Sequence, residues 1–345
     1  MITKSLKKIS FLLSLTIFSS PLFAEEIDIS GAGATFPAPI YIRWAEIYEK
    51  LKHVRINYQA IGSGGGIQQI MAGTVHFGAT DKPLTQEQLT KNHLIQFPTL
   101  LGGVVPVYNI PEIKSPLKMN GDILAEIFMG KITNWNDAKI QILNPSVALP
   151  NKKITVIHRS DGSGTSFLFT HYLSQVSAEW KRAVGNDVYV QWPIGLGGKG
   201  NDGIVVFVKQ IPYSIGYVEY SYVQTHQLQY TSLENAAHHF VEPSIETIKA
   251  AAKHANWKES FLILTNQKMP NAWPITGATF ILMKEQAHTA NLKESIAILN
   301  FFDWAFKHGD SEAIKLNFVP MPNTVVQFIE NEWKNQFKHD IQNGR

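Results

Sequence analysis

The chain has 345 residues, 31 Lys and Arg against 28 Asp and Glu, 44% hydrophobic residues and no cysteine. A formal charge of +3 supplies no strong field for a nucleic acid or an anionic membrane surface, and the absence of thiols excludes disulfides. The length suffices for a large apolar core and favours two domains over one.

The start reads as an export signal: Lys4, Lys7 and Lys8 are followed by an apolar stretch, Ile9 to Phe18, and a small-residue exit, Ser19 to Ala24. This stretch is too short to span a bilayer, so cleavage after Ala24 is expected. Cleavage removes three Lys and no acidic residue, bringing the formal charge to zero. No Cys follows the cut to carry a lipid, and no later segment approaches the roughly 20 apolar residues of a membrane span. The mature protein is therefore expected in the periplasm.

From Ile27 one grammar repeats: a short apolar segment, a turn rich in Gly, Ser, Thr or Asp, then a helical pattern. Ile27 to Ser30 reads as a strand and Ala38 to Lys52 as a helix with Ile40, Trp44, Tyr48 and Leu51 on one face. A strand at Val54 to Ala60, the loop GSGGG, a helix at Ile67 to Ala72 and a strand at Val75 to Ala79 follow. The next block holds a helix at Asp122 to Met129, a strand at Ile154 to Arg159, the loop SDGSGTS and a helix at Phe167 to Gln175. After GLGGKGNDG, Ile215 to Tyr222 reads as a strand, and Leu292 to Lys307 and Thr324 to Phe337 carry apolar residues at helical spacing. Such alternation predicts an α/β fold in which mostly parallel sheets are flanked by helices. Two Gly/Pro-punctuated apolar segments, Phe97 to Pro111 and Trp273 to Met283, are expected to cross between two lobes. The resulting expectation is lobe I at residues 25–104 and 275–345, and lobe II at 105–274.

Four loops follow a predicted strand and open a predicted helix, the edge of an open α/β sheet where anions meet helix N-termini. They carry Thr35 and Phe36, Ser63, Asp81, and the group Arg159, Ser163, Gly164 and Thr165. Any one of them alone is an ordinary turn and cap; four together, with one Arg and several hydroxyls, point to an oxyanion site built from hydrogen bonds. Arg159 offers a fork for two anion oxygens, and Asp161 is placed to hold its guanidinium. Asp81 either caps a helix or accepts a hydrogen bond from the ligand. A carboxylate repels an anion unless that anion still carries a proton.

Other motifs are weaker. GLGGKG with Glu219 matches a dinucleotide fingerprint, but Pro193 interrupts the approach and an exported chain has little access to such a cofactor. There is no phosphate-loop lysine motif, no G-x-S-x-G elbow and no H-E-x-x-H, and His238 with His239 reads as a solvated pair. No metal or other cofactor is expected. A phosphoryl-transfer enzyme would need a nucleophile, metal set or acid/base pair beyond the loop hydroxyls, so a binding protein is expected rather than an enzyme.

The segments GAGATFPAP, NYQAIGSGGGIQQI, FGATDKPL, FPTLLGGVV, RSDGSGTSF, WPIGLGGKGNDG, IGYVEY, AWPIT and FFDWA, in this order, resemble the periplasmic phosphate-binding proteins of bacterial phosphate ABC transporters. The resemblance spans essentially the whole mature chain. It implies a two-lobed Venus-flytrap fold, phosphate held between the lobes and delivery to transmembrane permease subunits, with no nucleic-acid partner and a monomeric state expected. It also implies donors at Thr35, Phe36 and Ser63, the acceptor of the phosphate proton at Asp81, and a second wall of Arg159, Ser163, Gly164 and Thr165 with Asp161 behind the arginine. The chain departs from that pattern at Gly64, where a second serine is usual, and at Lys82, where a small residue is usual.

Overall fold

The computed structural model describes residues 27–258, 261–285 and 288–337. The expected signal peptide lies outside them. No helix among the described residues is long and apolar enough to cross a membrane.

The strands, in chain order, are β1 Ile27–Gly33, β2 Val54–Ala60, β3 Phe77–Thr80, β4 Leu94–Tyr108, β5 Leu117–Met119, β6 Thr155–Arg159, β7 Leu196–Gly198, β8 Ser214–Glu219, β9 Gln229–Glu234, β10 Phe240–Val241, β11 Thr276–Lys284 and β12 Val319–Pro320. The main path through the sheet is β2-β1-β3-β11-β4-β8-β6-β7. β2, β1 and β3 run parallel at one end, and β8, β6 and β7 run parallel at the other. Between them β11 and β4 are antiparallel to their neighbours. β4 and β11 are the longest strands of the sheet, at 15 and 9 residues, and their antiparallel pairing needs no crossover helix between paired strands, a departure from the mostly parallel reading.

β4 joins the two ends of the path. Its first part, Leu94 to Gly103, pairs with β11, and its last part, Val104 to Tyr108, pairs with β8. Its register slips at Thr99, where Thr279 faces Leu100 and Phe280 faces Pro98. A bulge is where a strand tolerates a proline, which has no N–H to give to the ladder.

The helix Ala38–Lys52 matches its predicted bounds and buries Ile40, Tyr41, Trp44, Ala45 and Tyr48. Tyr41 packs edge-on to Tyr58 and Phe302, which in turn meets Phe77 and Phe97. Leu51, assigned to this face by spacing, is 58% exposed. Residues 49–53 are all exposed, so the last turn projects beyond the core.

Two helices begin earlier than the sequence implied, at Ser63 and at Gly164, so the glycine loops form first helical turns. β8 ends at Glu219, and Tyr220 to Tyr222 open a helix rather than extending the strand. The glycines permit close backbone packing: a Cβ at Gly66 would lie 2.6 Å from the Gly33 Cα and 2.7 and 2.8 Å from the carbonyl oxygens of Ala32 and Ala79. At Gly65 the nearest atom is the end of the Ile61 side chain. Gly66→Ala should therefore destabilise by about 1–3 kcal/mol, because backbone cannot yield as a side chain can, and Gly65→Ala by clearly less. Urea unfolding of both variants measures the difference.

Candidate functional site

The ends of β1, β3 and β6 and the starts of the helices Ala38–Lys52, Ser63–Ala72, Gly164–Val176 and Gly200–Gln210 converge on one cluster. In the first loop, the carbonyls of Ala34 and Thr35 accept hydrogen bonds from the hydroxyls of Tyr58 and Tyr222, at 2.7 and 2.9 Å. Thr35 Oγ1 accepts from Asn201 Nδ2 at 2.9 Å, and Phe36 is fully buried. The loop is thus pinned through its carbonyl side.

Ser63 is the first residue of its helix, and its Oγ accepts from the Asp81 N–H at 3.1 Å. Asp81, 1% exposed, receives a hydrogen bond on Oδ1 from Thr279 Oγ1 at 2.6 Å. The bulge in β4 lies beside this threonine, and bulges commonly redirect side chains toward sites. Oδ2 of Asp81 is buried with no hydrogen-bond partner among the described residues. The helix that follows Asp81 begins at Gln86 and is capped by Thr85, so Asp81 is not a helix cap.

Arg159, at the end of β6, is 3% exposed and not a surface ion. Its Nε and Nη2 donate to Oδ1 and Oδ2 of Asp161 at 2.8 and 2.5 Å, and its Nη1 donates to Thr165 Oγ1 at 3.2 Å. The fork foreseen for an anion is therefore committed to Asp161. The Nη1 side faces the cluster. Asp161 Oδ1 also accepts from the Gly200 N–H at 3.0 Å. The backbone N–H of Arg159 donates to the Tyr217 hydroxyl at 3.2 Å, itself 2.6 Å from Ser166 Oγ. Ser163 caps the next helix, its Oγ accepting from the Ser166 N–H at 3.0 Å.

The two groups of residues touch. The Gly64 N–H donates to the Gly162 carbonyl at 2.9 Å, and Lys82 Nζ lies 2.7 Å from Asp187 Oδ1. A Cβ at Gly164 would stand 2.3 Å from Ser63 Oγ and 2.5 Å from Asp81 Oδ2, so only glycine allows the helix start this close. All nine sequence-selected residues thus lie in one cluster. A cavity of about 300 Å³ beside it is lined by His158, Arg159, Asp161, Tyr189 and Trp192, among others.

Burial raises the Asp81 carboxyl to about 7, although the Thr279 hydrogen bond and the nearby Arg159 charge pull it down. Burial would raise Asp161 as well, but its hydrogen bonds and charge pairing with Arg159, together with the Gly200 N–H, hold it below the usual carboxylate range. Glu219 is also buried, and burial lifts it well above its ordinary value; its Oε2 accepts from the Ser221 N–H at 2.7 Å. The cluster thus contains one firmly ionised pair and a desolvated carboxyl aimed beside it.

Asn201, Thr279, Tyr217 and Tyr222 were not singled out from the sequence. Asn201 had a weak signal, since it follows the GLGGKG glycines. That glycine segment, read as a poor dinucleotide fingerprint, supplies the Gly200 N–H and Asn201 to the cluster.

A model of the PBP superfamily domain matches residues 23–308. The chain is 51% identical to the phosphate-binding protein PstS of Haemophilus influenzae, across 96% of this chain and 100% of that protein. It is 49% identical to PstS of Pasteurella multocida, across 96% and 97%. The chain belongs to the PstS family of the PBP superfamily. Its fold is also similar to that of a putative phosphate ABC transporter substrate-binding protein from Clostridium perfringens, with a TM-score of 0.63 at 20% identity over 86% of this chain and 100% of the other.

The raised carboxyl sets a pH dependence for the anion-free PstS-family fold. With a folded value of about 7 against an ordinary 3.8, Asp81 contributes stability below pH 4 that is lost as pH rises to about 7. Asp81→Asn removes this titration. The stability of the wild type relative to Asp81→Asn should therefore fall by on the order of 4 kcal/mol between pH 4 and 7. Chemical unfolding of anion-stripped protein across that range checks it.

Proposed function

We propose that this protein is an extracytoplasmic receptor that binds inorganic phosphate between two lobes and delivers it to the membrane permease subunits of an ABC importer. It is a binding protein and not an enzyme, like the family to which it belongs. The lobes comprise residues 25–104 with 275–345, and residues 105–274, and β4 provides the connection at which its ladder partner changes from β11 to β8. Export through a cleaved signal peptide, a monomeric state and the absence of a nucleic-acid partner complete the reading.

The observation that carries it is the pairing of opposite chemistries at one point. Arg159 and the helix starts offer cationic and N–H donors, while the ionised form of Asp81, which prevails above about pH 7, presents Oδ2 as a buried acceptor with no partner among the described residues. An anion that satisfies both must keep a hydrogen to donate. At neutral pH phosphate retains at least one O–H and sulfate retains none. Thr35, Phe36 and Ser63 form one wall around the anion, and Ser163, Gly164 and Thr165 with Arg159 form the other. Asp161 keeps the guanidinium in place.

A site whose buried acceptor requires a ligand hydrogen rejects the analogue lacking it by roughly 10⁴ to 10⁵. Asp81→Asn retains the shape, removes the charge and adds a donor, so it should narrow the preference for phosphate over sulfate at least tenfold, mainly by improving sulfate binding. Competition of sulfate against labelled phosphate at fixed ionic strength decides this. An unchanged ratio would remove the physical reason for choosing phosphate. Arg159→Ala should cost on the order of 2–5 kcal/mol of phosphate binding, since it strands Asp161 as well as the anion. Calorimetry on the stripped protein measures it, with circular dichroism confirming that the variant is folded.

A further inference from the structure

Three potential metal ligands gather at the far end of the β4–β11 ladder, outside the anion cluster. The last pair of that ladder is Lys284 with Leu94, so His93 and Glu285 stand opposite one another one step beyond it. The Glu285 N–H donates to the His93 carbonyl at 3.0 Å, and the His288 N–H donates to the Glu285 carbonyl at 2.9 Å, which holds His288 at the same place. The two imidazoles stack with centroids 3.7 Å apart and planes at 13°. Sheet register, a helix end and these backbone hydrogen bonds bring His93 to Glu285 and His288, which are distant from it in the sequence.

One ligand atom from each of the three residues lies within 4.8 Å of the others. Nδ1 of His288 and Nδ1 of His93 are 3.5 and 3.8 Å from the same oxygen, Oε2 of Glu285. These separations are long for hydrogen bonds. They suit a shared ion: ligands bound at about 2.0–2.2 Å with tetrahedral angles sit roughly 3.4 Å apart. Two imidazoles and one carboxylate form a donor set of borderline softness that favours zinc over magnesium or calcium and leaves a position for water. The neighbouring Lys284 ammonium is held on the Asn92 carbonyl at 3.0 Å.

We propose that His93, Glu285 and His288 form a zinc site that ties the end of the helix Gln86–Asn92 to the end of β11. His93 is already set by the backbone: it caps that helix at φ 54°, its N–H directed to the Leu89 and Thr90 carbonyls. Because each lone pair lies in its ring plane and the stacked planes are nearly parallel, at least one imidazole must turn well out of the stack before both can meet the ion. Both imidazoles are exposed, which limits the dehydration cost and leaves the site open to solvent.

Titrating zinc chloride into phosphate-free protein in a non-coordinating buffer should show one equivalent bound with a micromolar constant and a rise in the thermal midpoint. Cobalt in its place should develop the visible absorption bands of a tetrahedral ion. His93→Ala and Glu285→Gln should each weaken zinc binding by at least about tenfold and remove the cobalt bands, while phosphate affinity remains as in the wild type. The proposal is overturned if the wild type takes up no zinc at sub-millimolar concentration. It is equally overturned if binding persists unchanged when His93→Ala and His288→Ala are combined.

Discussion

A guanidinium almost wholly out of water requires a counter-charge, and the pairing of Arg159 with Asp161 is the constraint around which the site is arranged. Losing one partner of such a buried pair costs about 3–5 kcal/mol, because the other is left uncompensated. Asp161 stands at a bend two residues beyond the end of β6, from which its carboxylate holds Nε and Nη2. The same carboxylate takes the Gly200 N–H and so fixes the start of a second helix. The side chain of Asn201, one residue on, then donates through Nδ2 to Thr35 Oγ1 and accepts the Glu219 N–H on Oδ1. One ion pair thereby sets the position of the first loop on the opposite wall.

Asp81 is governed by the opposite logic. It has no cation bonded to it, and its environment disfavours charge. The placement of Thr279 beside a bulge supplies one hydrogen bond and leaves the second oxygen for something else. A site tolerates an unsatisfied buried acceptor when a ligand can complete it, since leaving such a group unpaired costs about 1–3 kcal/mol or more. Stability is thus given up at the point where the proposed phosphate site needs an acceptor.

The strand–glycine–helix grammar made the four loops readable, because each places its polar residues at the same sheet edge whatever the details. Pro37 marks the start of the helix Ala38–Lys52 and the spacing of its apolar residues carries it through, which is why its bounds could be read. Ser63 and Gly164 were read as loop because consecutive glycines are poor helix formers; the helix forms there since only glycine fits against β1 and β3 or against Ser63 and Asp81. β4 was read as a crossing segment rather than a 15-residue strand because Pro98, Gly102 and Gly103 interrupt its apolar run. Thr279 and Tyr222 gave no signal, since a threonine in an apolar strand and a tyrosine at a helix start are ordinary until the fold sets them beside distant loops. His93 and Glu285 were invisible for the same reason: only the ladder's register makes them neighbours.

The bond between Lys82 and Asp187 joins the two walls beside Asp81, and both side chains remain partly in solvent, with 22% and 48% exposure. In the proposed two-lobed receptor it would break each time the walls part, but it need not form before a ligand arrives. Its influence therefore falls on residence time more than on capture. A partly exposed pair contributes about 0.2–1 kcal/mol, which corresponds to at most about a fivefold change in escape rate. Because salt screens such a pair, a saltier medium shortens the time for which the receptor holds its cargo.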